Sequence, residues 1–194
     1  MKTLHATTTL LVAALSAASA VAGWRGFEPA NHIAGPERTA ESLAGKVVLV
    51  DRWAIWCGPC IRMMPHTEEI WRKYADQGLV VVASHIGHGY EADKVAEFVG
   101  QFSFSVYKEA DWDGDVGYDG GIPFLYVVDS KGAVVYGGRD PEAIDAAVAK
   151  ALKAVAARPQ APAKASAPDK PSAPAKPASK KPGIIKIKKS AKEK

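Results

Sequence analysis

The chain has 194 residues, 47% of them hydrophobic, with two cysteines and a formal net charge of +4. This length and apolar content fit one ordinary domain with appendages and a real core, and no segment beyond the N-terminus is apolar enough to cross a bilayer. The charge is divided: residues 158–194 carry 11 Lys and Arg against 2 Asp and Glu, whereas residues 1–157 carry 14 against 19. The basic character therefore belongs to the C-terminal segment, and the body is acidic.

Residues 1–22 read as a secretory signal peptide. Lys2 supplies a basic start, Leu10 to Ala18 an apolar run, and Ala18, Ala20 and Ala22 the small residues of a cleavage site, expected after Ala20 or Ala22. The apolar run falls well short of the roughly 20 residues of a bilayer span, which favours cleavage over an uncleaved anchor. A periplasmic or secreted location in an oxidising space follows as the expectation.

Gly23 to Ala44, with Pro29, Gly35 and Pro36, reads as an irregular lead into a domain spanning residues 23–157. Lys46 to Trp56 is then a β-branched, mostly apolar run, as in a strand buried on both faces of a parallel sheet. A helix follows from the cysteine segment, with apolar spacing at Ile61, Met64, Ile70 and Tyr74 and a stop at Gly78; Pro65 is expected to kink it. Leu79 to Gly87 gives a second parallel strand and completes a β-α-β unit.

Glu91 to Phe102 is an amphipathic helix by its spacing, and Phe104 to Tyr107 a short strand. Two alternating runs between Pro123 and Gly138, joined by the segment from Asp129 to Gly132, signal a hairpin. Asp140 as N-cap and Pro141 at the first helical position open a closing helix. The expected fold class is α/β, a mixed sheet with helices on both faces. Residues 158–194 hold 7 of the 13 prolines and are otherwise Ala, Lys and Ser, a composition expected to stay disordered.

The two cysteines, Cys57 and Cys60, stand three positions apart between a strand and a helix. Cys57 then sits at the helix N-terminus, where unpaired N–H groups and the helix dipole favour the thiolate that attacks a disulfide. Cys60, one turn further in, is placed to resolve the mixed disulfide, with the first thiol exposed and the second shielded. A structural zinc site needs about four ligands, and only His66, His85 and His88 are at hand, so no metal is expected. A purely structural disulfide across so small a loop would add little stability.

The run from Val48 to Cys60, Pro65, and the segment from Gly120 to Gly138 containing Ile122 and Pro123 resemble the thioredoxin superfamily. The helical insert between the second strand and that proline, with the signal peptide, is most similar to its extracytoplasmic TlpA/ResA-like branch; the likeness covers about residues 40–157. This resemblance implies a thioredoxin-like fold with the insert before a cis-proline. It makes Cys57 the attacking and Cys60 the resolving cysteine of a redox-active disulfide, with Trp56, Gly58, Pro59, Ile122 and Pro123 facing the substrate. A cis Ile122–Pro123 bond would leave the Ile122 backbone free to pair with an extended client; a trans proline opening an edge strand is the alternative.

Asp51 shares a strand face with Leu49 and Trp53 by alternation, so its carboxyl is expected to be buried and its pKa raised. It matches the buried acid of thioredoxins that takes the proton of the resolving thiol; a structural carboxylate paired with a cation is the alternative. Arg52 departs from the family pattern, where an aromatic residue is usual, and points to the opposite face.

The implied activity is an extracytoplasmic thiol-disulfide oxidoreductase without a cofactor, a reductase of client protein disulfides with cytochrome c maturation as one setting. Gly58 and Pro59 place no added cation between the cysteines, which favours reduction over oxidation. The partners expected are client thiols and disulfides and a membrane electron donor that restores the dithiol. The basic tail would meet an anionic envelope surface, and no specific nucleic acid, since no aromatic residue interleaves its lysines. A disulfide oxidase or isomerase, or a protein binding through its basic tail, are the alternatives.

Two further motifs are discounted. His85 to His88 spells a nucleotide-binding signature of class I aminoacyl-tRNA synthetases, but nothing else of such an enzyme is present; these histidines are expected at a strand end near the redox site. Glu109, Asp111, Asp113 and Gly114 begin an EF-hand-like spacing that lacks its closing ligand at Gly120, and read as a solvated loop shaping the approach to Pro123.

Overall fold

A computed structural model describes residues 23–157; the expected signal peptide and basic tail lie outside the described residues. The elements in chain order are β1 (Trp24–Arg25), β2 (His32–Ala34), α1 (Ala40–Leu43), β3 (Val47–Trp53), α2 (Gly58–Tyr74), β4 (Leu79–His85), α3 (Ala92–Val99), β5 (Ser105–Lys108), β6 (Asp111–Trp112), β7 (Phe124–Val128), β8 (Val134–Gly138) and α4 (Pro141–Ala156). Among the described residues no helix is long and apolar enough to cross a membrane.

Six strands form one mixed sheet in the order β2-β5-β4-β3-β7-β8, and β1 pairs with β6 in a separate two-stranded ribbon. The apolar run at β3 lies at the centre, parallel to β4 and antiparallel to β7, and buries six of its seven residues. A strand covered on both faces takes apolar residues at successive positions, which is why residues 47–50 of β3, 79–83 of β4 and all of β7 run without alternating polar residues.

The period of two still sorts the side chains. Val47, Leu49 and Trp53 of β3, Val81 and Ala83 of β4 and Leu125 and Val127 of β7 face one core with α2, α3 and α4. Each buried aliphatic side chain there contributes about 1.5–3 kcal/mol of hydrophobic stabilisation; α4 supplies Ile144, Val148 and Leu152 at helical spacing. Val48, Val50, Val80, Val82, Phe124, Tyr126 and Val128 face the second core. Helices thus reach both faces, but unequally: the three longer ones share the first, while the second receives Leu43 and Ala40 of the four-residue α1.

The rest of that second face is closed by Trp24 and Phe27, and by Ala110, Trp112 and Val116. The lead is not irregular throughout: β2 pairs antiparallel with β5 at the sheet edge, and β1 pairs with β6. Strands of two or three residues are too short to leave a periodic signal, and these take their conformation from the edge they meet.

The acidic loop is not simply solvated either. Asp111 is buried, accepts from Arg25 at 2.8 Å and from Tyr126 Oη at 2.6 Å, and pairs with Arg52 at 3.1 Å. Its charge is compatible with burial because cations and a hydroxyl meet it there. Arg52 does point away from Asp51, and its guanidinium also lies 4.1 Å from the centre of the Tyr118 ring. Where the resemblance implies an aromatic residue, position 52 carries an ion-paired arginine stacked on an aromatic from the loop.

The hairpin turn and α4 form as their residues dictate. Gly132 holds a positive φ of 82°, which favours glycine, and Asp129 Oδ1 accepts the N–H groups of Lys131 and Ala133. Asp140 caps α4 by accepting from Glu142 and Ala143, with Pro141 at the start.

Candidate active site

The turn from β3 into α2 places the cysteine pair. Cys57 is the N-cap of α2, and its Sγ accepts the Cys60 N–H at 3.2 Å, doing with sulfur what a serine oxygen does at other helix starts. Pro59 falls in the first turn, where its missing N–H leaves no intrahelical bond unmade. Cys57 and Cys60 form a disulfide with their Cα atoms 5.2 Å apart. Pro65 lies inside α2, which runs from Gly58 to Tyr74.

The contrast in exposure is narrower than expected. Cys57 keeps 5% of its surface exposed and Cys60 none, and both sulfurs belong to the apolar core cluster. In the disulfide form Cys57 is nearly closed to solvent. Trp56, by contrast, is 61% exposed, and Gly58 and Pro59 are exposed beside it. Its indole N–H donates to the His88 carbonyl at 2.8 Å, which holds the ring against residues 88 and 89.

Ile122–Pro123 is a cis peptide bond, as the resemblance implies, and not a trans proline. Pro123 is buried just before β7, and half-buried Ile122 packs against the cluster that holds both cysteines. Sequence positions 66 residues apart, Cys57 and Pro123, are therefore brought to the same end of the sheet by β3 and β7.

Asp51 is fully buried on the face of β3 that carries Leu49 and Trp53. Burial pushes its carboxyl up to about 7, opposed only by a hydrogen bond from Thr67 Oγ1 at 2.7 Å. The partner is a hydroxyl, not the cation of the alternative reading, and Oδ1 has no partner among the described residues. A carboxyl that titrates near neutrality inside the core can give or take a proton under ordinary conditions.

Thr67 was not legible as part of the site. The signal was its place on the buried stripe of α2, with Cys60, Met64, Trp71 and Tyr74, where a threonine stands among apolar residues. His85 ends β4, as expected, and its Nε2 lies 3.1 Å from the Ile55 N–H, two residues before Cys57. His66 lies on α2 beside Glu69, and His88 is exposed; no group of three or more His, Cys, Asp or Glu among the described residues is arranged to hold a metal ion.

A family described as Redoxin matches residues 34–155. The thioredoxin-like protein YneN of Bacillus subtilis is 30% identical over 106 residues, which cover 53% of this chain and 61% of that protein. The thiol-disulfide oxidoreductase ResA of Geobacillus kaustophilus is 30% identical over 101 residues, covering 52% of this chain and 58% of that one. The chain thus spans about three-fifths of the length of these curated relatives.

Among solved structures, a thiol:disulfide interchange protein of the thioredoxin family from Chlorobium tepidum superposes with a TM-score of 0.51 at 23% identity, covering 63% of this chain and 90% of that one. That likeness speaks to the fold: a mixed sheet with flanking helices is the thioredoxin-like arrangement. With the family match extending from β2 into α4 and taking in both cysteines, the chain belongs to the Redoxin family, as a TlpA/ResA-like member of the thioredoxin superfamily.

Proposed function

We propose that the chain is an extracytoplasmic thiol-disulfide oxidoreductase that reduces disulfides of client proteins. The observation that carries this reading is the Cys57–Cys60 disulfide at the N-terminus of α2, with Asp51 buried behind it at a pKa of about 7. The names of YneN and ResA are consistent with it.

In the reduced chain the Cys57 thiolate attacks one sulfur of a client disulfide. A Cys57–client bond forms, the client S–S bond breaks, and the second client sulfur leaves as a thiolate. Cys60 then gives its proton to the Asp51 carboxylate and attacks Cys57 Sγ. The intramolecular disulfide forms, the mixed disulfide breaks, and the client sulfur bound to Cys57 also leaves as a thiolate; protons from Asp51 and solvent convert the client to a dithiol. Two electrons have passed to the client, and a membrane electron donor restores the pair. Gly58, Pro59, Trp56 and Ile122 would form the client-facing rim, with the Ile122 backbone offered to an extended segment.

Reduction is the preferred direction because the stability of the Cys57 thiolate sets the potential, and the residues between the cysteines add no cation. Arg62 lies alongside Gly58 on the exposed side of α2, where solvent screens it. Residues 1–22 as a cleaved signal peptide, a domain over 23–157 and a basic tail over 158–194 that meets the anionic envelope complete the proposal, with the thiol pair of an apocytochrome c as one client.

The direction is tested by equilibrating the full chain against glutathione of known ratio. A potential near about −270 mV, the thioredoxin range, is expected. A value near about −120 mV, that of a strong disulfide-forming oxidant, would reverse the direction and leave the chemistry of the pair unchanged.

A further inference from the structure

His85 is a fully buried histidine that the redox steps above do not use. Its ring is held edge-on between Trp53, with centroids 5.1 Å apart, and Tyr90, at 5.3 Å. Its backbone is fixed on both sides: the Ile86 N–H donates to the Trp53 carbonyl at 2.9 Å, and the Glu109 N–H to the His85 carbonyl at 3.0 Å. The imidazole is thus a rigid post at the end of the three central parallel strands.

Its Nε2 stands 3.1 Å from the Ile55 nitrogen. That nitrogen carries a hydrogen and can only donate, so the contact requires Nε2 as the unprotonated acceptor and leaves the ring proton to Nδ1, which is buried with no hydrogen-bond partner among the described residues. Burial, the largest effect on this group, keeps the imidazole below its ordinary pKa and so favours the neutral ring the contact requires. Ile55 belongs to the short turn that leaves β3, and the Cys57 N–H in the same turn donates to the Ala54 carbonyl at 3.0 Å. Trp56 is tied to the same neighbouring segment through the His88 carbonyl. Residues 85–88 therefore grip two successive residues immediately before Cys57.

We propose that His85, as the neutral Nδ1–H tautomer, is a positioning residue for the redox site: its Nε2 accepts the Ile55 N–H and so fixes the turn that presents Trp56 and the Cys57 sulfur to the client. The proposal deepens the reductase reading and rests on it for its kinetic consequence alone. An apolar residue of similar size would fill the same space and leave the Ile55 N–H without an acceptor, so the turn would loosen although the core stays packed. Glutamine would restore an acceptor, because its amide oxygen reaches about as far along the side chain as Nε2 does.

The test uses the full chain and two variants, His85→Leu and His85→Gln. Nitrogen-15 side-chain spectra of the unmodified protein are expected to show an unprotonated Nε2 and a protonated Nδ1. The Ile55 amide is expected to exchange with solvent ~10-fold faster or more in His85→Leu and near its original rate in His85→Gln. Client-disulfide reduction should follow the same order, falling ~10-fold in the leucine variant and recovering in the glutamine one. A proton on Nε2, or Ile55 exchange that is equal in all three proteins, would overturn the proposal. If His85→Leu does not fold, the tautomer in the unmodified chain still decides. Absence of disulfide reduction in all three, with tautomer and exchange as expected, would count against the reductase reading and leave the positioning contact standing.

Discussion

Cys57→Ser is expected to abolish disulfide reduction, lowering turnover by on the order of 10⁴-fold, while the folded chain persists. A serine hydroxyl is not ionised near neutrality and is a poor nucleophile towards sulfur, so no other group in the site replaces the thiolate. As an N-cap, however, serine is at least as good as cysteine: its oxygen can accept the Cys60 N–H that Cys57 Sγ accepts now. Near-ultraviolet circular dichroism should therefore stay native-like while the turbidimetric insulin-reduction rate falls to background. Retention of appreciable activity would mean that the function lies elsewhere, with the basic tail the first place to look.

Asp51→Asn is expected to act on rate and stability in opposite senses. As proton acceptor for Cys60, Asp51 works only when ionised, so resolution should speed up as pH rises through about 7, the pKa that burial gives it. The asparagine variant should lose that inflection and run on the order of 100-fold slower above it, the usual scale for a missing general base.

The stability effect follows from linkage. The folded chain keeps the Asp51 proton until about pH 7, whereas the unfolded chain releases it near the ordinary value of 3.8. Between those values the unfolded state binds fewer protons, so stability falls as pH rises, and the full penalty is present above about 7. The interval corresponds to at most about 4 kcal/mol. Asparagine avoids the buried charge and can still accept the Thr67 hydroxyl. Its urea midpoint should exceed that of the unmodified chain at about pH 8 and converge with it towards pH 4. An unchanged pH profile in both assays would return Asp51 to a structural role.

Much of this was legible in the chain itself. The central strand, the helix behind the cysteines, the hairpin and the closing helix each carry a long apolar pattern or a strong cap, and local physics decides them. Asp51 was visible because a strand alternates: one acidic residue between Leu49 and Trp53 must share their burial.

What stayed hidden depends on contacts between distant positions. Asp111 looked like one more charge in an acidic loop because its partners Arg25 and Arg52 lie far back in the chain, the first of them 86 residues away. The short strands β1 and β2 carry too few residues for a period, and exist because β6 and β5 offer them an edge. Thr67 and His85 had signals of a kind, a hydroxyl on a buried helix stripe and a histidine ending a buried strand. Their partners, Asp51 across the core and Ile55 across the sheet end, became apparent only with the fold.

The most direct measurement on the central claim is a trap. With Cys60→Ser, the Cys57 thiolate can still attack a client disulfide, but nothing resolves the product, so the full chain exposed to an oxidised client peptide should accumulate one mixed disulfide through Cys57. Non-reducing gel electrophoresis and mass spectrometry should show a species of the summed mass that dithiothreitol releases and that Cys57→Ser, Cys60→Ser together abolishes. Absence of any linked species, or linkage that survives loss of Cys57, would contradict dithiol-disulfide exchange at this site.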